Sequence, residues 1–489
     1  VKNAWLDKIE RKHVIGLGLA VALINVFFIV TENYWGLLLP FLLAVVALIV
    51  LSLDKVLLFL VFATPLSIFF FHPKLGTGLT LPTEPLLFGI MILFFARVLY
   101  RGGFDRKVFF HPLSLAIVFN LLWVFVTSIT SELPLVSFKF FVARLWFVSV
   151  CFYLMSQLFK EPKNVVRFFW LFAIPLCLTV IYTLTVHAQN GFTKEASVWV
   201  MFPFFKEHTI YGAVLALFIP LAFVFTFNLS NSLNSKLVAG LVLTILLVGV
   251  ILSFTRAAWV SLAAALGVAA LIVLRVKPWL LLMLFIGFLG VLGYYKEDIF
   301  QRFESNQATS SDDLGEHVSS ISNISTDASN MERINRWKSA LRMFAERPIT
   351  GFGPGTYMFL YAPYQKPYEK TIISTNAGNA GNAHSEYIGP MAESGILGLL
   401  TTLAVVYFTL STGVRVYYRL ENPYQKRIAL AVLMGLVTYW THGLLNNFLD
   451  SDKAALPVYA FTALLVVYDK YYLPKKLERG KRIDTLKKR

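Results

Sequence analysis

Only two cysteines, Cys151 and Cys177, occur in 489 residues. Both fall inside apolar runs, so the chain has neither a disulfide framework nor a thiolate metal site. Charge is also scarce: 15% of the residues are charged against 57% hydrophobic. That balance excludes an ordinary soluble domain and points to a polytopic membrane protein. Acidic residues are outnumbered by basic ones, 28 to 44. The excess does not indicate nucleic acid, because the positive charges lie mostly in short loops and in the tail. The phosphate loop Gly-x-x-x-x-Gly-Lys-Ser/Thr and a Rossmann setting are both missing, which argues against a nucleotide site. No metal and no cofactor are expected.

What the chain has in abundance is apolar runs long enough to cross the roughly 30 Å hydrocarbon layer of a bilayer. Fourteen candidate spans stand near 14–30, 35–52, 56–71, 85–100, 112–130, 135–158, 168–187, 210–228, 237–253, 257–274, 279–295, 388–411, 428–447 and 454–470. The first is expected to be retained, since no small-residue cleavage site follows it. The fold class is therefore all-α, a polytopic transmembrane helical bundle of about 12–14 spans. Numbering the loops alternately puts 28 of the 44 basic residues on the side of the N-terminus. By the positive-inside rule both termini are cytoplasmic and the long polar insert lies outside. The expected organisation is 1–295 for spans one to eleven, 296–387 for the outside loop, 388–470 for the last three spans, and 471–489 for a basic tail attracted to anionic lipid head groups.

The unusual residues gather on the outside. Arg256 follows Ser253 and Thr255 in a connection of a few residues, where an arginine is disfavoured unless it snorkels or serves an anion. A guanidinium matches pyrophosphate oxygens bidentately. Arg144 sits about nine residues inside span six and should face a polar cavity or a partner. Lys206 and His208 stand at the outer edge of span eight and could face the same anion. Within the insert, residues 304–330 read as a mobile polar loop. After them Ile334, Trp337, Leu341 and Phe344 recur at helical spacing. This is an amphipathic helix whose Arg333 and Arg336 either form a solvated face or gather a phosphate-rich substrate. Pro348 ends it, and Gly351, Gly353 and Gly355 form a tight turn that positions its neighbours. His384 then stands just before span twelve, with Glu386 two residues on and Glu393 about two turns deeper. Histidine titrates near neutrality and can move a proton. An intramembrane carboxylate such as Glu393 is unusual enough to be a site residue or a buried support. His442, Asn446, Asn447 and Asp450 form a weaker polar cluster at the end of span thirteen.

Taken in order, Ser253-Phe-Thr-Arg256-Ala-Ala-Trp259, Arg336-Trp337-x-x-Ala340-x-x-Met343, Pro348-Ile-Thr-Gly351-Phe-Gly353-Pro-Gly355, Asn382-Ala-His384-Ser-Glu386-Tyr387 and Ala392-Glu393-Ser-Gly395-Ile-Leu-Gly398 resemble the O-antigen ligase and polymerase superfamily. The resemblance covers roughly residues 250–400 and does not separate ligases from polymerases. It implies a GT-C-type glycosyltransferase taking a glycan from an undecaprenyl-diphosphate carrier on the periplasmic face of the inner membrane. A ligase passes it to lipid A–core oligosaccharide, a polymerase to another carrier-linked repeat. The ligases' functional histidine and membrane-edge arginine map to His384 and Arg256. Their further upstream arginine has no counterpart between Arg167 and Arg256, which leaves Lys206, His208 or Arg144 for that role. The expected reaction is a metal-independent inverting displacement. A polyprenyl-glycolipid transporter is the rival from another class, but it predicts internal repeats that are not evident.

Overall fold

The computed structural model describes residues 53–72, 77–102, 105–228, 232–276, 328–371, 374–375 and 381–474, with Met283. The expected spans near 14–30, 35–52 and 279–295 lie outside the described residues. So do the polar stretch before residue 328 and the tail beyond residue 474.

The described chain is helical apart from one hairpin. Helix α1 spans Leu53–Leu66, β1 Ile68–His72, β2 Thr77–Leu81 and α2 Thr83–Arg101. Helix α3 spans Pro112–Ile129, and α4 spans Pro134–Trp146 and continues as a π-helix over Phe147–Leu154. Then come α5 (Pro162–Gln189), α6 (His208–Phe227), α7 (Leu233–Leu252), α8 (Arg256–Val273), α9 (Ala328–Glu346), α10 (Ile388–Arg419), α11 (Pro423–His442) and α12 (Asp452–Val467). Among the described residues eight helices, α2 to α8 and α10, are long and apolar enough to cross a membrane. These are the helices of a multi-pass membrane protein.

After Asp452 and Lys453 helix α12 is apolar on all sides, and every one of its residues is buried, as expected for a helix that sits at a bundle's centre. Lipid tails are as apolar as leucine, so burial alone does not hold such a bundle together; close packing and polar ties do. Phe172 stacks on Phe218 with ring centroids 4.4 Å apart, and Phe218 meets Phe461 at 5.5 Å, which joins α5, α6 and α12. The main polar tie is Lys453. Its ammonium donates to the carbonyls of Thr64 (2.7 Å) and Ser67 (2.8 Å) and to Ser67 Oγ (2.6 Å). A cation thereby satisfies carbonyls that the end of α1 leaves without helical partners. Asp452 completes the knot by accepting from Ser67 Oγ and Thr83 Oγ1.

That knot explains one departure from the expected spans. The third, 56–71, stops as a helix at Leu66, and Ile68–His72 pairs antiparallel with Thr77–Leu81 instead. The apolar run Ile68-Phe69-Phe70-Phe71 has no periodicity that tells helix from strand.

Helix α9 is the expected amphipathic helix. Its Ala340 and Met343 pack with Phe352, Tyr357, Tyr361, Ala383 and Ala392 in a second, smaller core. This core rests on a break in α10 at Gly395, where φ is 68° and ψ −165°. The break frees the carbonyls of Ala392 and Glu393 and the amide of Ile396. All three find partners in the segment after α9. Phe352 N–H donates to Ala392 O (3.3 Å), Gly353 N–H to Glu393 O (2.8 Å), and Ile396 N–H to Pro348 O (2.8 Å). The turn is thus hydrogen-bonded into the kink as a helix turn would be.

A Cβ at Gly395 would stand 2.1 Å from Ile349 O. We therefore expect Gly395→Ala to destabilise the protein by about 2–3 kcal/mol through strain and displacement of the turn. Thermal unfolding in detergent checks this, and an unchanged transition would show that the turn is not pinned as described.

Candidate functional site

The glycine turn is held from its other side by the α3–α4 connection. Glu132 N–H donates to Phe352 O (3.0 Å), Ser137 Oγ to Pro354 O (2.8 Å), and Arg347 pairs with Glu132. Gly353 has a φ of 114°, and a Cβ there would fall 1.9 Å from Ser131 Oγ. Glu393 sends its carboxylate into the same turn, accepting from Tyr357 N–H at 3.0 Å. Gly353 and Glu393 are therefore joined, in a supporting position.

Helix α9 spends much of its charge within the protein. Arg336 is buried and pairs with Glu332 one turn earlier at 2.7 Å. Its other arm donates to Asn382 O at 3.1 Å, two residues before His384. Trp337 Nε1–H donates to His384 O at 3.4 Å. Arg333 reaches the turn after α11, donating to Leu445 O at 3.2 Å. The helix is thus a clamp over two loops, and Arg336 holds the His384 loop by its backbone.

His384 occupies the left-handed region with φ 49°, an uncommon conformation for a residue other than glycine. Its N–H donates to Asn382 Oδ1 (3.0 Å), and its ring is hydrogen-bonded to Asn446. Burial, followed by the nearby guanidinium groups of Arg333 and Arg336, pushes its pKa down to about 3. The ring is neutral at physiological pH. Glu386 does not face it. The Glu386 carboxylate accepts from Tyr439 Oη–H (2.5 Å), Phe448 N–H (2.7 Å) and Leu449 N–H (3.0 Å), and its own amide donates to Gly443 O (2.8 Å). Burial raises the Glu386 pKa. Glu386 therefore ties the turn after α11 to the His384 loop.

That turn carries His442, buried against the Phe448 ring at 5.5 Å, with Arg333 and His208 in electrostatic range. His208 opens α6, and its carbonyl accepts from Thr255 Oγ1 at 2.9 Å. Arg256 is the next residue and begins α8. His384, His442, Arg333, His208 and Arg256 thus belong to neighbouring loops at one end of the bundle. Lys206 is exposed and lies 3.8 Å over the Phe69 ring of the hairpin.

Arg144 lies in a different setting. It lines a cavity of about 60 Å³ inside the bundle with Asn120, Glu386, Glu393, Ser394 and Tyr459. Its guanidinium is 3.4 Å from Tyr459 Oη and 5.1 Å from the centre of the Phe140 ring. The lining is mostly apolar, and two carboxylates, Glu386 and Glu393, share it with Arg144. The chain also carries an Asp-x-Asp spacing that the expectation of no metal left out, Asp450-Ser451-Asp452. Asp452 is engaged by Ser67 and Thr83. No group of three His, Cys, Asp or Glu suited to a metal stands among the described residues.

Sequence reasoning missed Glu332, whose i,i+4 spacing to Arg336 was the available signal. It also missed Ser131, Glu132 and Ser137, which lie more than 200 residues from the turn they hold and carry no local signal.

A multi-pass helical bundle with a polar, basic loop cluster over one end is the class that this geometry defines. The family model described as O-antigen ligase matches residues 239–403 and supports placing the chain in the O-antigen ligase-like superfamily. The matched stretch runs from within α7, through Arg256, α9 and the glycine turn, past His384 and the Gly395 kink. It supports an enzyme of the ligase or polymerase type. No curated protein matches the chain.

The neutral state of His384 has a measurable consequence. An unfolded histidine takes up its proton near pH 6.5, whereas the folded ring does so only near 3. Between those values the unfolded state binds the extra proton, so stability falls as the pH drops through that window. Between about pH 7 and pH 5 the wild type should lose more melting temperature than His384→Gln. Equal losses would show that the ring is not held neutral.

Proposed function

We propose that the protein is an O-antigen ligase. It transfers a glycan from undecaprenyl diphosphate to lipid A–core oligosaccharide on the periplasmic face of the inner membrane, with both termini cytoplasmic. The observation that carries this reading is the joining of Arg256, Arg333 and a neutral His384 through neighbouring loops at one end of a membrane bundle, within the stretch that the family model matches. The positive-inside pattern supports the sidedness.

In the proposed step an acceptor hydroxyl attacks the anomeric carbon of the carrier-linked sugar. The new C–O bond forms as the bond to the diphosphate oxygen breaks, and undecaprenyl diphosphate leaves with the electron pair. One displacement inverts the anomeric carbon. Arg256, with Lys206 and His208 from the adjoining segment, holds the diphosphate and stabilises the charge that grows on it. His384 accepts a hydrogen bond from the acceptor hydroxyl, orienting it or taking its proton as the bond forms. An imidazolium beside Arg333 and Arg336 is unfavourable, so the proton passes on to the departing diphosphate or to solvent. Arg336, Glu386, Glu393 and Gly353 act by holding the loops, and Arg144 balances the carboxylates beneath them.

The test uses protein in nanodiscs with undecaprenyl-diphosphate glycan, with and without lipid A–core, and follows the products on gels. Glycan should appear on the core. His384→Ala and Arg256→Ala should each slow this about a hundredfold or more while remaining folded. Lengthened carrier-linked glycan without core would identify a polymerase instead. Full activity in both variants would overturn the assignment of these residues.

A further inference from the structure

The turn after α11 holds buried polar atoms with no hydrogen-bond partner among the described residues. His442 is 2% exposed, and neither ring nitrogen has a hydrogen-bond partner among the described residues. Four residues on, Asn446 is equally buried, and its Nδ2 is also without a partner while the residue bonds to His384. Asn447 adds an unpartnered Oδ1. These are four orphaned atoms within six residues, at a turn that Glu386 and Arg333 fasten in place. A buried polar atom without a partner costs on the order of 1–3 kcal/mol. Such a cluster calls for a hydrogen-bonding occupant rather than chance.

The chemistry of the occupant can be read from the orphans. An imidazole offers one donor and one acceptor, Asn446 Nδ2 offers donors, and Asn447 Oδ1 offers an acceptor. An anion would want donors alone. A row of sugar hydroxyls, each able to donate and accept, fits the mixture. We propose that His442, Asn446 and Asn447 form a subsite for the hydroxyls of one neutral sugar ring, set beside His384. This rests on the proposed glycan-transfer reading, and it names which side chains hold sugar. The sugar belongs either to the carrier-linked donor or to the acceptor.

Equilibrium binding to protein in nanodiscs tests it without requiring turnover. One arm compares undecaprenyl-diphosphate glycan with bare undecaprenyl diphosphate, and the other compares lipid A–core with lipid A. In one arm the wild type should bind the sugar-bearing ligand more tightly. His442→Phe, which keeps an aromatic ring against Phe448, and Asn447→Leu should each weaken that binding about tenfold and leave the sugar-free ligand unaffected. The arm that responds identifies the source of the sugar. His442→Phe should also leave the melting temperature of the ligand-free protein unchanged or higher, since no hydrogen bond to a described residue is lost. Unaltered affinity for both sugar-bearing ligands, or a large drop in stability in His442→Phe, would overturn the proposal. Loss of turnover alone bears on the transfer reading, because the binding comparison does not depend on it.

Discussion

The structure depends on an exchange of backbone hydrogen bonds at the Gly395 kink. A transmembrane helix cannot leave its polar backbone groups unpaired without a large cost. Helix α10 breaks its ladder at Gly395, and the chain around the glycine turn restores it with its own amides and a carbonyl. A segment some forty residues earlier in the chain thereby becomes part of the helix's hydrogen bonding. Helix α9 and the His384 loop inherit their placement from this junction. Glu393 reinforces it from α10, and Ser131, Glu132 and Ser137 hold it from the α3–α4 connection.

Lys453, Arg336 and the half-buried Arg144 are met by carbonyls, a hydroxyl or carboxylates of the protein, which suits cations that would otherwise be costly. Arg333 touches the turn after α11 by its Nε, and Arg256 stands at the head of α8. His384 is positioned through its backbone by Asn382 and Trp337, and its ring is hydrogen-bonded to Asn446. The ring's neutrality follows from burial near guanidinium groups, with Glu386 turned elsewhere. Positioning by backbone contacts and chemistry by the side chain is a workable division for a proton-handling group.

Much of this was legible in the sequence. Long apolar runs specified the bundle, and the spacing of Ile334, Trp337, Leu341 and Phe344 located α9. Pro348 and the glycines marked the turn, and His384 was placed at the head of α10. Distance along the chain limited the rest. Nothing local in Ser131 or Ser137 announces a partner beyond residue 350. The run after Ser67 is equally apolar as helix or strand, and its fate is decided by Lys453, more than 380 residues away. Glu386 reads as a plausible base beside His384, yet two residues along a turning chain point their side chains differently. Its carboxylate goes to Tyr439, Phe448 and Leu449.

The central claim is that a diphosphate-linked lipid is handled at the loop end shared by Arg256 and His384. A photoreactive undecaprenyl diphosphate with a diazirine next to the diphosphate, cross-linked to protein in nanodiscs and mapped by peptide mass spectrometry, tests it most directly. The account predicts labelling of the segments around Lys206–His208, Ser253–Arg256 and Asn382–Tyr387, competed by unlabelled carrier. Labelling confined to the opposite end of the bundle, or labelling that unlabelled carrier does not compete, would contradict it.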